Sequence, residues 1–109
     1  MFVNLCGHDV VIEFDNRTLR VVASGTVARC SSETVRLGTF DGVPLTETRY
    51  FNPVGVPEPK DGVMYIVSKI VKECYPNRDD VVFPNETKRN GTTVYSCQSL
   101  SPRSPHTTY

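Results

Sequence analysis

The sequence has no tryptophan, no net charge and no long apolar run, and these absences remove whole classes of function. Twelve Lys or Arg residues balance twelve Asp or Glu residues among 109, so the formal net charge is zero at neutral pH. Sequence-independent binding of nucleic acid relies on a dense positive field, and a generic nucleic-acid partner is therefore not expected. Aliphatic runs such as Val10-Val11-Ile12 stop at three residues, far short of the ~20 that a bilayer-crossing helix needs. No membrane partner is expected. The opening MFVNLCGHDVVIEF lacks a basic start, and His8 and Asp9 break its apolar stretch. A secretory signal is not expected, which leaves the cytoplasm as the expected compartment.

Signature chemistry is absent as well. No P-loop, GxGxxG, HExxH or GxSxG occurs in the chain. Cys6, Cys30, Cys74 and Cys97 form neither a CxxC pair nor a zinc spacing, and in a reducing compartment they are expected to stay free and packed. Side chains of Asp79 and Asp80 diverge on an extended backbone, and no third ligand stands at a suitable spacing. No metal and no cofactor are expected. N-x-[ST] triplets beginning at Asn16, Asn85 and Asn90 read as polar turns.

What is present is a β pattern. Val10, Ile12 and Phe14 alternate on one face, Leu19, Val21 and Ala23 follow across Asp15-Asn16-Arg17, and this predicts a hairpin. After Ser24-Gly25, Thr26 to Ser31 reads as a further strand. Glu33 to Thr39 and Val43 to Phe51 flank Phe40-Asp41-Gly42, whose Asp-Gly supplies the chemistry of a second hairpin turn. From Asn52 to Gly62, three prolines and two glycines oppose both helix and central strand. Val63 to Val67 is a buried-strand candidate. Val67, Ile70, Val71 and Cys74 then fall at helical spacing opposite Lys69, Lys72 and Glu73, so Ser68 to Tyr75 reads as a short amphipathic helix capped by Ser68 and stopped by Pro76. A short apolar run does not decide whether Met64 to Val67 belong to that helix. Val81 to Phe83 reads as a strand ended by Pro84. Asn90-Gly91 predicts an exposed hairpin turn leading to a last strand near Thr93 to Ser99. The expectation is a single α+β domain over residues 1–100, mostly antiparallel β-sheet with one short helix near residues 68–75. The tail SPRSPHTTY, residues 101–109, is expected to be disordered.

Several side chains carry chemistry. On an extended backbone Cys6 and His8 share a face, the geometry of a nucleophilic dyad; a buried thiol beside a histidine bonded to a turn is the stronger reading, since no third group orients the ring. His106, the other histidine, falls in the tail. Ser68 at a helix start exposes unpaired N–H groups that suit an anion, with Lys69 beside it. Arg78 either grips a phosphate or pairs with Asp79 or Asp80, the internal pair being favoured. Arg29 needs a carboxylate or phosphate if buried, and Glu58, Asp61 and Asp80 are internal candidates. Tyr65 either stacks on a ring or belongs to the core.

Taken together, NLCGHDVVIEF, SGTVARC, VPEPKDGVMYIVSKIVKECYPNRDDVVFP and the final C-x-S-L resemble a family of small proteins of unknown function associated with tailed bacteriophages and bacteria. The family opens N-L-[TS]-P-H, whereas Cys6-Gly7 stand at its third and fourth positions here. Pro57 to Ser68 and Pro76 to Pro84 match the pattern more fully. The resemblance implies an intracellular protein, in the host cytoplasm if phage-encoded, and carries no catalytic mechanism. It directs attention to His8, Ser24, Arg29, Tyr65, Ser68, Arg78 and Asp80. The resulting expectation is a non-enzymatic binder of a phosphate-bearing small molecule, sequestering a nucleotide-derived signal of host defence, with Arg29 and Arg78 converging on the ligand. An inhibitor or adaptor of a host protein and a minor virion component are the alternatives. A homodimer is also expected, because an exposed edge strand can pair across a two-fold axis.

Overall fold

A computed structural model describes residues 1–90 and 93–103. The chain is β-rich α+β, with a six-stranded sheet, a separate two-stranded arm and one helical turn. The strands are β1 (Phe2–Asn4), β2 (Val10–Phe14), β3 (Arg17–Val21), β4 (Arg29–Phe40), β5 (Val43–Val54), β6 (Met64–Ile66), β7 (Val81–Asn90) and β8 (Thr93–Ser101), with α1 (Lys69–Lys72) between β6 and β7.

Local chemistry sets both early hairpins. Asp15 and Asn16 adopt φ of 47° and 59°, and Asp41 and Gly42 adopt 49° and 78°, the paired left-handed residues that match strand twist in a two-residue turn. The long ladders are antiparallel: β2 with β3, β7 with β8, and β4 with β5. Short parallel ladders join β1 to β6, β6 to β7 and β2 to β8. Within the order β1-β6-β7-β8-β2-β3 the two edge strands meet. Asn4 bridges Ala23, and the Ser24 N–H donates to the Asn4 carbonyl at 3.0 Å. The sheet therefore curls into a small, nearly closed barrel.

Two apolar clusters lie on opposite sides of β6 and β7. Cys6, Val10, Ile12, Ile66, Val82 and Cys97 fill the inside. Leu5, Ala28, Tyr65, Val67, Val71 and Val81 pack outside it, next to α1. Parallel strands covered on both faces read as continuous apolar runs, which is why neither the Val63 run nor the Val81 run alternates. Met64 to Ile66 is strand, and helix begins only after Ser68.

Four sequence expectations change. The helix is one α turn, after which Glu73, Cys74 and Tyr75 donate to carbonyls three residues back, so the 3.6-residue face is lost. Ile70 is consequently half exposed, and Lys72, expected on the polar side, is fully buried. Its Nζ donates to the carbonyls of Tyr75 at 3.0 Å and Arg78 at 2.7 Å, closing the turn that follows the helix. Thr26 to Phe40 does not divide into two strands; β4 runs unbroken from Arg29, and β5 continues through Asn52 and Pro53 to Val54. Pro84 does not end β7, because among the described residues the strand has no partner on its β6 side past Val82 and a proline is tolerated on such an edge. Of the expected tail, Ser101 lies in β8 and Arg103 pairs with Asp79; residues 104–109, with His106, and the Gly91 turn lie outside the described residues.

Candidate functional site

Asn4 organises the mouth of the barrel. It is buried, its Nδ2 donates to the carbonyls of His8 and Val21, each at 2.9 Å, and its Oδ1 accepts the Cys6 N–H at 2.8 Å. One side chain thus ties the residue 6–8 loop to the end of β3. Leu5 donates its N–H to the Ile66 carbonyl and accepts the Ala28 N–H, which brings the start of the arm alongside.

Beside this junction lies a cleft of about 490 Å³. Leu5, Val27, Ala28, Phe83 and Pro84 give it an apolar floor, while His8, Arg29, Ser68, Lys69 and Arg89 contribute polar groups. Arg29, Lys69 and Arg89 are exposed and form no ion pair among the described residues. The carboxylate on the wall is Glu86, which accepts the Ser99 hydroxyl at 2.8 Å. Glu86 also holds a left-handed φ of 51°, a strained conformation costing on the order of 1 kcal/mol.

The residues singled out from the sequence separate into three places. His8, Arg29 and Ser68 share the cleft. Ser24 is exposed in a turn of its own, where its hydroxyl accepts the Thr26 N–H and faces the Thr26 carbonyl. Tyr65, Arg78 and Asp80 gather near the proline-rich segment. The Tyr65 hydroxyl donates to the Glu58 carbonyl at 3.4 Å, and its ring is core. Arg78 donates Nε to Asp80 Oδ1 at 3.0 Å and Nη2 to Oδ2 at 2.7 Å, with a further bond to the Pro57 carbonyl. Its guanidinium lies 5.3 Å from the Tyr75 ring centre. That hydrogen-bonded pair holds the Asp80 carboxyl below the usual carboxylate range. Arg78 is therefore neutralised inside the protein, and the expected convergence of Arg29 with Arg78 does not occur.

The helix start is corrected too. Ser68 caps α1 by accepting the Val71 N–H at 3.3 Å, but a single turn has almost no macrodipole to offer an anion. His8 turns its Nδ1 to the Asp9 carbonyl at 2.8 Å, while the Cys6 thiol is buried beneath the Ile66 carbonyl. Burial pushes that thiol up to about 11, so the pair does not form a nucleophilic dyad. All four cysteines are free. Among the described residues, no group of three or more His, Cys, Asp or Glu side chains is placed to hold a metal ion.

Arg89 and Glu86 were missed as site residues because β7 was expected to stop at Pro84. With the strand continued, Asn85, Thr87 and Arg89 alternate onto one face, a signal available for Arg89; Glu86, out of phase with it, gave none. Asn4 gave none, since an asparagine before an apolar residue is common in turns and strands alike. No family model, curated protein or solved structure matches the chain.

Proposed function

We propose that the chain is a non-enzymatic binding protein whose cleft takes a phosphate-bearing small molecule. The observation that carries the reading is the set of Arg29, Lys69 and Arg89 around an apolar floor, with none of the three in an ion pair among the described residues. Guanidinium and ammonium groups suit phosphate oxygens, and the half-buried Pro84 offers an apolar surface beside them. The likeness of its segments to phage-associated proteins directs the choice of ligand to a nucleotide-derived signal of host defence, held stoichiometrically in the host cytoplasm.

Thermal melting against mono-, di- and cyclic nucleotides tests this. A ligand at a hundredfold excess over its Kd adds about 2.7 kcal/mol to the native state, and that stabilisation is expected to vanish in Arg29→Ala and Arg89→Ala. The ligand is expected to be recovered chemically unchanged after denaturation. A flat panel, or an altered product, refutes the reading. A second reading, a module that docks on another protein, is favoured by the projecting arm of β4 and β5.

A further inference from the structure

The arm is built the wrong way round for an isolated chain. Its two strands have twelve residues each and reach roughly 40 Å at ~3.3 Å per residue. The Cα radius of gyration is 15.7 Å, against ~13 Å for a compact chain of this length. Register places Phe40 with Val43, Gly38 with Leu45, Val35 with Glu47, Glu33 with Arg49 and Ser31 with Phe51 on one face. The opposite face carries Thr39 with Pro44, Arg36 with Thr46, Thr34 with Thr48 and Ser32 with Tyr50. Tyr50 belongs to this second face and lies beside Lys69 and Ile70 of α1, and the Cys30 thiol faces the Ile70 carbonyl at 4.0 Å. At the base of the arm the polar face thus turns toward α1, and the apolar residues Phe40, Val43 and Leu45 further out stand exposed. Phe40 is 69% exposed and Val43 is 59% exposed. A two-stranded ribbon is marginal in water without a covered face.

We propose that the apolar face of the arm is covered by the same face of a second copy of this chain. The order of residues along the β5 row of the stripe is its own complement, while on β4 Val35 falls opposite Glu33. A two-fold axis running across the arm, between the Val35·Glu47 and Glu33·Arg49 pairs, sets Leu45 of one copy over Phe51 of the other. It also sets Glu47 over Arg49, and each contact is made twice, as an isologous interface requires. Within one chain Arg49 already leans on Glu47 at 3.2 Å, with both side chains at least half exposed, so the charges stand on the stripe and are free to share a second partner. The stripe, about 40 Å by 10 Å, supplies roughly half of the ~800 Å² per partner in a standard interface. Zero formal net charge leaves no long-range repulsion to oppose the pairing.

Light scattering on the full chain over a wide concentration range is the test. The expected mass is twice the 12.2 kDa of the chain, falling to the single-chain value in Leu45→Asp and in the tip variant Phe40→Ser. Thr46→Asp, on the polar face, is expected to stay dimeric. Glu47→Arg is expected to weaken association at least tenfold, and the double swap Glu47→Arg with Arg49→Glu to restore it. Circular dichroism of each variant checks that the barrel is intact; if Leu45→Asp does not fold, Phe40→Ser and the charge swap decide the matter. A wild-type chain that is monomeric throughout overturns the proposal, even if it captures an unrelated protein. So does a dimer indifferent to Leu45→Asp, or a swap that fails to rescue. Nucleotide binding in the cleft is read separately, so failure of one proposal is distinguishable from failure of the other.

Discussion

Replacing Asn4 by alanine removes the clasp between the two edges of the barrel. The Cys6 N–H and the carbonyls of His8 and Val21 lose their partner in one step. A buried group left unpaired costs ~1–3 kcal/mol. Cys6 is inside the barrel, whereas water can reach the two carbonyls more easily, so the total is about 2–4 kcal/mol rather than three full penalties. Against a native stability of ~5–15 kcal/mol this is a large loss, lowering Tm by roughly 8–20 °C. Urea unfolding followed by circular dichroism reads it. Asn4→Asp sharpens the test, because it keeps the acceptor for Cys6 but aims a second oxygen at two carbonyls. At neutral pH it is expected to be worse than alanine. Burial and repulsion raise the carboxyl of that variant above its unfolded value of ~3.9, so stability is regained on acidification and lost as pH rises through the folded value. A loss below ~1 kcal/mol in Asn4→Ala, or an Asn4→Asp variant as stable at neutral pH as in acid, refutes the account of closure.

Three further outcomes follow from the other buried and paired groups. The Asp80 carboxyl is held low chiefly by its hydrogen bond from Arg78, so its stabilising contribution is present above the unfolded value of ~3.9 and lost as pH falls through the folded one. Asp80→Asn is expected to be destabilised at neutral pH, to approach wild type in strong acid, and to show a flatter acid limb in urea titrations; an unchanged limb contradicts the pairing. Burial raises the thiols of Cys6 and Cys74 to about 11, with Cys30 beside Cys74 adding to the shift. Both are expected to resist iodoacetamide in native protein at mildly alkaline pH and to react promptly on unfolding, as read by mass spectrometry. Since a raised thiol favours the folded state only while protonated, Cys6→Ala is expected to soften the stability loss between ~8.5, the unfolded value, and the folded value of about 11.

Much of the architecture was legible because it is decided within a few residues. Asp15-Asn16 and Asp41-Gly42 carry their own turn geometry, Ser68 carries its cap, and alternation marks β2, β3 and the arm. Ser68 and His8 could be named from the sequence as polar groups near turns, although not as neighbours. Pro84 misled because a proline reads as a stop unless the free edge beside it is known. Lys72 misled because helical periodicity assumes more than one turn.

The sequence by itself determined the β-rich class, the two hairpin turns and the position of the single helical turn, all of which arise from φ preference, capping and side-chain alternation between near neighbours. Tertiary structure alone decided that Asn4 closes the barrel on Val21 and that Arg78 is spent on Asp80 and Pro57. It alone brought Arg29, Lys69 and Arg89 around one cleft and left Phe40, Val43 and Leu45 of the arm exposed. These depend on contacts between segments distant along the chain, where the partner of a polar or charged group is chosen by which segments meet on folding.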